Sequence, residues 1–327
     1  MRVFVTGATG YLGRAVVTRL QEESVQVRAL VHNATGPLAA EVETVRGDLA
    51  TPDAGLRRAL RGMDVVIHCA AHLGEGDREQ YRRVNVLGTR ALLSAAVQAH
   101  VRRFVHVSTL AVYPWRQPGA VVRAEDGLDP HPELRDHYAW SKIAADSWVT
   151  EFREQGVLDT VTLRPGIIYD AGREFVARVC RRLRGSVHLI LGRPAMRLPL
   201  VHVRDVAEAV WRAASHPGPL HRPLNLVGPD IPTQADYLAL RATTGRDPIV
   251  PVYVPASVLQ LAARRAARGA RLVASRGCSL PYALWWQTQE VSYERDSARQ
   301  DMDWVPTIAT AAGLRGSLTP VARAEAI

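Results

Sequence analysis

The chain predicts an α/β fold: a doubly wound parallel sheet with a smaller C-terminal lobe. Three observations predict it: six short, nearly continuous apolar runs, helical apolar spacing between them, and proline-punctuated sequence in the second half. The runs are Arg2–Thr6, Val25–Val31, Val42–Arg46, Asp64–His68, Arg103–Ser108 and Thr160–Arg164. Strands covered on both faces read this way, because neither face meets water. Between them Leu12, Val16 and Leu20 recur at helical spacing, as do Leu56 and Leu60. Val84, Leu87, Ala91 and Ala95 mark a longer helix running to about His100. Strands alternating with helices build βαβ units, whose right-handed crossovers place helices on both faces.

After about Leu163 the rhythm loosens, and Pro165, Pro199, Pro219, Pro229 and Pro251 are among the residues that punctuate shorter elements. The expected division is residues 1–165 as a dinucleotide-binding domain, with about 200–228 returning to it. Residues 166–327 then form mainly a substrate-binding lobe over the sheet's carboxyl edge, where ligands of such sheets bind.

Composition narrows the class. The chain has 327 residues, 47% of them hydrophobic and 22% charged, enough for a sizeable core. Its apolar runs fall far short of the roughly 20 residues that span a bilayer. No leader precedes the first strand, so a cytoplasmic location is expected. Cys69, Cys180 and Cys278 are far apart with no C-x-x-C pair, and read as small apolar residues rather than disulfides or metal ligands. The net charge of +9 raises nucleic acid as a partner, yet the arginines are dispersed and no basic run interleaves with aromatics. A small anionic cofactor or substrate uses such a field equally well.

Thr6-Gly7-Ala-Thr-Gly10-Tyr11-Leu12-Gly13 follows the first strand and opens the first helix. Gly7 suits a tight turn, Gly10 lets backbone N–H groups approach a pyrophosphate, and Gly13 lets helix and strand pack closely. This is the layout of a Rossmann nucleotide site, one residue longer than the G-x-G-x-x-G spacing. The second strand ends at Val31-His32 without the acid that binds an NAD ribose. Arg14, Arg28 and His32 are candidate donors to a 2′-phosphate, so NADP is favoured and NAD stays open. Asp48 is placed to touch the adenine, or is a plain turn aspartate.

Tyr138-Ala-Trp-Ser-Lys142 puts two titratable side chains on one helix face. A phenol with a pKa near about 10 becomes a usable acid–base when an ammonium close by favours its phenolate. Ser108 and Thr109, at the end of the preceding strand, offer a hydroxyl to a substrate carbonyl.

Taken together these residues resemble the extended short-chain dehydrogenase/reductase family, which includes nucleotide-sugar epimerases and dehydratases, dihydroflavonol reductases and 3β-hydroxysteroid dehydrogenases. Gly47-Asp48-Leu49 is similar to its adenine contact, and His68-Cys-Ala70-Ala71-His72 to the turn after its fourth strand. Asn85 sits in its central-helix motif, and Leu163-Arg-Pro165-Gly166-Ile167 resembles its nicotinamide segment. Late motifs match at Val201–Ala207, Leu224-Asn225-Leu226 and Ala298–Pro306.

The resemblance implies that Tyr138 is the acid–base, that Lys142 binds the nicotinamide ribose and tunes Tyr138, and that Thr109, with Ser108 as second choice, orients the carbonyl. It also implies a homodimer through two long helices. The sugar-nucleotide dehydratases carry an Asp-Glu pair after the threonine; Leu110 and Ala111 stand there and transfer no proton. The asparagine that epimerases commonly carry near the Arg-Pro turn is absent from Arg164–Asp170.

The resulting expectation is an NAD(P)-dependent oxidoreductase acting on a carbonyl or secondary alcohol. Its rivals are an epimerase with transient oxidation and a dinucleotide-sensing protein without catalysis. His68 and His72 flank a strand end with no third ligand, so no metal is expected. Arg264, Arg265, Arg268 and Arg271 form a basic amphipathic stretch that could touch a membrane surface or be a solvated face. Trp285 and Trp286 could line the substrate pocket or fill core.

Overall fold

Alternation along the first strand, β1 (Arg2–Thr6), sorts the core into two halves. Val3 and Val5 join Val16, Val17 and Leu20 of α1 (Tyr11–Glu22) on one face, while Phe4 joins Leu60, Val66 and Phe104 on the other. The computed structural model describes residues 1–32, 38–51, 54–114, 116–117, 119–170, 180–191, 193–243, 249–254 and 291–315. Arg264, Arg265, Arg268, Arg271, Cys278, Trp285 and Trp286 lie outside them.

The chain continues through β2 (Gln26–Val31), β3 (Glu43–Arg46), α2 (Ala54–Ala59), β4 (Val65–His68), α3 (Arg78–Tyr81), α4 (Gly88–Gln98) and β5 (Arg103–Val107). Then come β6 (Val121–Val122), α5 (His137–Glu154), β7 (Asp159–Pro165) and β8 (Ile167–Tyr169). All six expected strands form within one residue of the expected bounds.

The second half holds β9 (Cys180–Arg184), β10 (Val187–Leu191), β11 (Leu200–His202), α6 (Val203–Ser215), β12 (Leu224–Leu226), α7 (Gln234–Ala242) and β13 (Val250–Val254). It closes with β14 (Ser292–Tyr293), α8 (Asp296–Met302) and α9 (Thr310–Arg315).

Seven strands form one parallel sheet in the order β3-β2-β1-β4-β5-β7-β12. Leu92 and Leu93 of α4 and Val149 of α5 cover one face; α1 and α6, through Val206 and Val210, cover the other. The late segment thus rejoins the sheet: β12 pairs with β7, and Trp304 donates its indole N–H to the Asp205 carbonyl in α6. The remaining strands form three small sheets, β13-β10-β9, β11-β8 and β14-β6, and β8 follows directly on β7.

The helix expected around Val84 to His100 is interrupted. Arg82–Leu87 is a π-helical turn between α3 and α4, and α4 ends at Gln98 with His100 in the left-handed region at φ 55°. Such wide turns inside helices are concentrated at functional sites, and this one carries Asn85.

Candidate functional site

The strand order reverses between β1 and β4, and there a cleft of about 910 Å³ opens along the carboxyl ends of β1, β4, β5 and β7. One end is built by the glycine turn. Gly7 adopts φ +72°, and a β-carbon on it would stand 2.6 Å from the Ala70 backbone nitrogen. Gly13 packs so closely that a β-carbon would overlap the Gly7 carbonyl oxygen. Gly10 caps α1 in extended conformation, with no side-chain hydrogen bond and no acidic residue in the first turn. With no side chain capping it, the positive end of this 12-residue helix suits a pyrophosphate. The residues present therefore fit a dinucleotide.

Thr9, Tyr11 and Leu12 line the same end, with His32, Asp48, Leu49, Ala70 and Ala71 beyond them. His32 is exposed at the end of β2, and its Nε2 lies 3.4 Å from Asp48. Asp48 also closes its own turn, accepting from Ala50 N at 2.8 Å and Thr51 Oγ1 at 3.3 Å. Arg14 bonds the Thr9 carbonyl at 3.0 Å and is not among the lining residues. Arg28, a candidate phosphate donor by its charge, is turned elsewhere: it pairs with Glu43 at 2.8 Å and donates to the Ala59 and Arg61 carbonyls. Alternation along β2 explains this, because Arg28 projects from mid-strand toward β3 and α2 rather than from the strand's end.

At the other end Asp136 caps α5, accepting from Ala139 N at 2.7 Å, and the first turns of that helix carry Tyr138 and Lys142 into the cleft. Lys142 is buried and donates to the Val107 carbonyl at 2.8 Å. Burial pulls its ammonium down to about 8, against the opposing pull of Asp146. It is also the only lysine in the chain; 40 of the 41 basic Lys and Arg residues are arginine. That singularity is a sequence signal that spacing alone does not use.

Thr109 and Ser108 differ in what their hydroxyls do. Thr109 Oγ1 accepts from Ala111 N at 3.2 Å, which leaves its hydrogen to donate. Ser108 Oγ donates to Asp146 Oδ2 at 2.9 Å. Pro165, Gly166 and Ile167 form the adjoining wall, where Ile167 N donates to the Pro199 carbonyl at 2.8 Å and so draws Met196, Arg197 and Leu198 to the cleft. Tyr81, Val84, Leu110, Ala111, Ile168 and Tyr293 complete a largely apolar end.

Beneath Lys142 a polar row crosses the sheet in register: Thr6, His68, His106 and Thr162. His68 Nδ1 meets Thr6 Oγ1 at 2.7 Å and its Nε2 meets Thr89 Oγ1 at 2.8 Å, so both ring nitrogens are engaged by hydroxyls. Burial, reinforced by Lys142, pushes His68 down to about 3 and His106 well below its ordinary value. Both imidazoles are therefore neutral under the ammonium.

Asn85 ties the walls together. Its Nδ2 donates to Ser141 Oγ at 2.9 Å and its Oδ1 accepts from His72 N at 2.6 Å, joining the loop after β4 to α5. Residues that spacing did not single out include Asp136, Asp146, Tyr81, Arg197 and Tyr293; they reach the site through tertiary packing.

Parallel sheet, glycine turn and switch-point cleft define a Rossmann-type fold. Residues 3–226 match the model of the NAD dependent epimerase/dehydratase family, and the chain belongs to that family. A 3-beta-hydroxysteroid dehydrogenase from Mycolicibacterium neoaurum is 32% identical over 66% of this chain and 61% of its own length. A 4-hydroxy-2-methyl-3-oxo-4-farnesyl-3,4-dihydroquinoline-1-oxide ketoreductase from Stigmatella aurantiaca is 32% identical over 65% and 64%. The chain thus spans less than two thirds of these relatives' length. Among solved structures, a short-chain dehydrogenase/reductase superfamily protein from Agrobacterium tumefaciens with bound NAD superposes at TM-score 0.74, with 24% identity over 98% of this chain and 96% of that one.

Proposed function

We propose that the protein is an NAD(P)-dependent oxidoreductase that interconverts a carbonyl and a secondary alcohol, with Tyr138 as the acid–base. The observation that carries this reading is the convergence in one cleft of Tyr138, Lys142 and Thr109 with an uncapped helix N-terminus suited to a pyrophosphate. The dinucleotide supplies or accepts hydride when bound. Tyr138 passes a proton to or from the substrate oxygen, and the Lys142 ammonium favours its phenolate form. Thr109 donates a hydrogen bond to the same oxygen. Gly7, Thr9, Gly10, Tyr11 and Leu12 hold the phosphates, Asp48 and Leu49 the adenine end, and Ala70, Ala71 and Pro165–Ile167 the nicotinamide end.

The apolar end of the cleft favours a hydrophobic ketone or alcohol, with Arg197 at its rim; relatives named for a hydroxysteroid and a farnesylated quinoline fit that chemistry. No acid ends β2, which favours NADP over NAD. A homodimer is part of the reading, with α4 and α5 as its contact; Arg90 of α4 stacks over Trp148 of α5 at 4.2 Å on that side.

The test follows nicotinamide absorbance with a panel of steroid ketones, aliphatic ketones, their alcohols and nucleotide sugars. Net cofactor turnover with an apolar ketone, lost in Tyr138→Phe while cofactor affinity is kept, is the expected result. Retained cofactor without net turnover, and sugar isomerisation, would mark an epimerase instead.

A further inference from the structure

Asp146 lies one helical turn beyond Lys142 on α5 and is fully buried. Its Oδ2 accepts from Ser108 Oγ at 2.9 Å and from Arg164 Nε at 3.1 Å. Ser108 immediately precedes Thr109, and Arg164 immediately precedes Pro165. A single carboxylate oxygen thereby joins the ends of β5 and β7 to the helix that presents Tyr138 and Lys142. Arg164 is itself held in place: its guanidinium lies 4.7 Å from the Tyr113 ring centroid, and Tyr113 donates to Asn225 Oδ1 on β12 at 2.6 Å.

The second carboxylate oxygen, Oδ1, is buried and has no hydrogen-bond partner among the described residues. A carboxylate so placed keeps a strong local field, because water does not screen it. The groups facing Lys142 from the other elements are His68 and Cys69 at the end of β4 and His106 on β5; Arg164 of β7 acts on His106 and pairs with Asp146. The imidazoles are neutral and the thiol is held protonated by burial, so Asp146 is the anion of this set.

We propose that Asp146 is a positioning residue: it fixes Thr109 and the Pro165–Ile167 wall against α5, and it is the counter-charge that keeps Lys142 an ammonium. This rests on the roles given above to Tyr138 and Lys142. Without Asp146, Lys142 would keep the burial that lowers it, lose the opposing anion, and give up its proton at lower pH.

Because the chain holds one lysine, protein grown on lysine labelled at Cε gives a single lysine resonance, and its shift against pH reads the charge of Lys142 directly. In Asp146→Asn the midpoint should fall by about one pH unit or more, the lower end of what a close opposite charge produces. The alkaline limb of kcat/KM should move with it, and Asp146→Glu should restore both. An Asp146→Asn midpoint equal to the wild type's, with only the melting temperature lowered, overturns the proposal. Should Asp146→Asn not fold, Arg164→Met decides: it removes the cation that shares the Asp146 oxygen, so the Lys142 midpoint should rise, and an unmoved midpoint overturns the counter-charge. The titration needs no turnover, so its failure is distinct from failure of the oxidoreductase reading.

Discussion

Gly13 lies against Gly7 so tightly that any side chain on the helix residue would overlap the carbonyl oxygen of the turn residue. The obstacle is backbone, which cannot swing aside, so Gly13→Ala must displace the turn or the start of α1. Overpacking of this kind costs about 1–3 kcal/mol. We expect Gly13→Ala to lower the unfolding free energy by that amount in urea titration and to abolish measurable cofactor binding. At Gly10 the added carbon would stand 3.1 Å from the same oxygen, a contact relieved by a small shift. Gly10→Ala should therefore lose cofactor affinity while keeping most of its stability.

The two hydroxyls at the end of β5 give opposite expectations. Thr109 keeps a hydrogen free to donate into the cleft, so Thr109→Val should lower kcat by about 10²-fold, as loss of one donor to a developing oxyanion does, while losing about 1 kcal/mol of stability with its cap to Ala111 N. Ser108 spends its hydrogen on buried Asp146, so Ser108→Ala should cost about 1–3 kcal/mol of stability and lower kcat less than Thr109→Val does. Equal loss of kcat in both variants, with no loss of stability in Ser108→Ala, would reverse the assignment.

What the sequence made legible follows from how far each interaction reaches along the chain. The glycine turn, the strands and the Tyr138/Lys142 face depend on residues a few positions apart, and periodicity reports such spacings well. The bond between Ser108 and Asp146 spans 38 positions, and that between Tyr113 and Asn225 spans 112. No local pattern encodes them. The π turn at Arg82–Leu87 is invisible to periodicity because Val84, Leu87, Ala91 and Ala95 keep a helical stripe across it. Arg28 is illegible for a different reason. Its charge suited a phosphate, but its position in mid-strand, not its charge, decided that it would meet Glu43.

Lys142 should show its environment chemically. Burial holds it at about 8, below the 10.5 of an ordinary lysine. Between those values the unfolded chain binds the proton and the folded chain does not, so this residue's contribution to stability rises with pH through that window. The neutral amine is the nucleophile. Reaction with pyridoxal phosphate, trapped by borohydride and read by peptide mass spectrometry, should therefore reach half its limiting rate near pH 8, and NADP should protect. Labelling confined to the α-amine, or a midpoint near 10.5, would place Lys142 elsewhere.

Cofactor choice should respond to His32. The imidazole is exposed at the end of β2 beside Asp48, and no carboxylate belongs to the strand end itself. His32→Asp would add one where the proposed NADP would carry its 2′-phosphate. Repulsion by about 1.4 kcal/mol is a tenfold effect, so the ratio of kcat/KM for NADP over that for NAD should fall at least about tenfold. A ratio that does not change would move the 2′-phosphate contact away from this residue.

Stability can be separated from the cleft at Arg103, on the opposite edge of the sheet. Its side chain is 1% exposed, pairs with Asp159 at 2.7 Å, and donates to the carbonyls of Ala213, His216 and Gly218 at the end of α6. Removing the guanidinium strands three acceptors and leaves the carboxylate without its partner. Arg103→Met should therefore cost roughly 3 kcal/mol, near the lower end for a broken buried pair because Asp159 retains some water. None of these contacts lies among the residues lining the cleft. Folded Arg103→Met, measured well below its melting temperature, should bind cofactor as the wild type does, while its urea midpoint falls. A cofactor affinity that falls together with the midpoint would mean that the β5 end near Thr109 is strained from its far terminus.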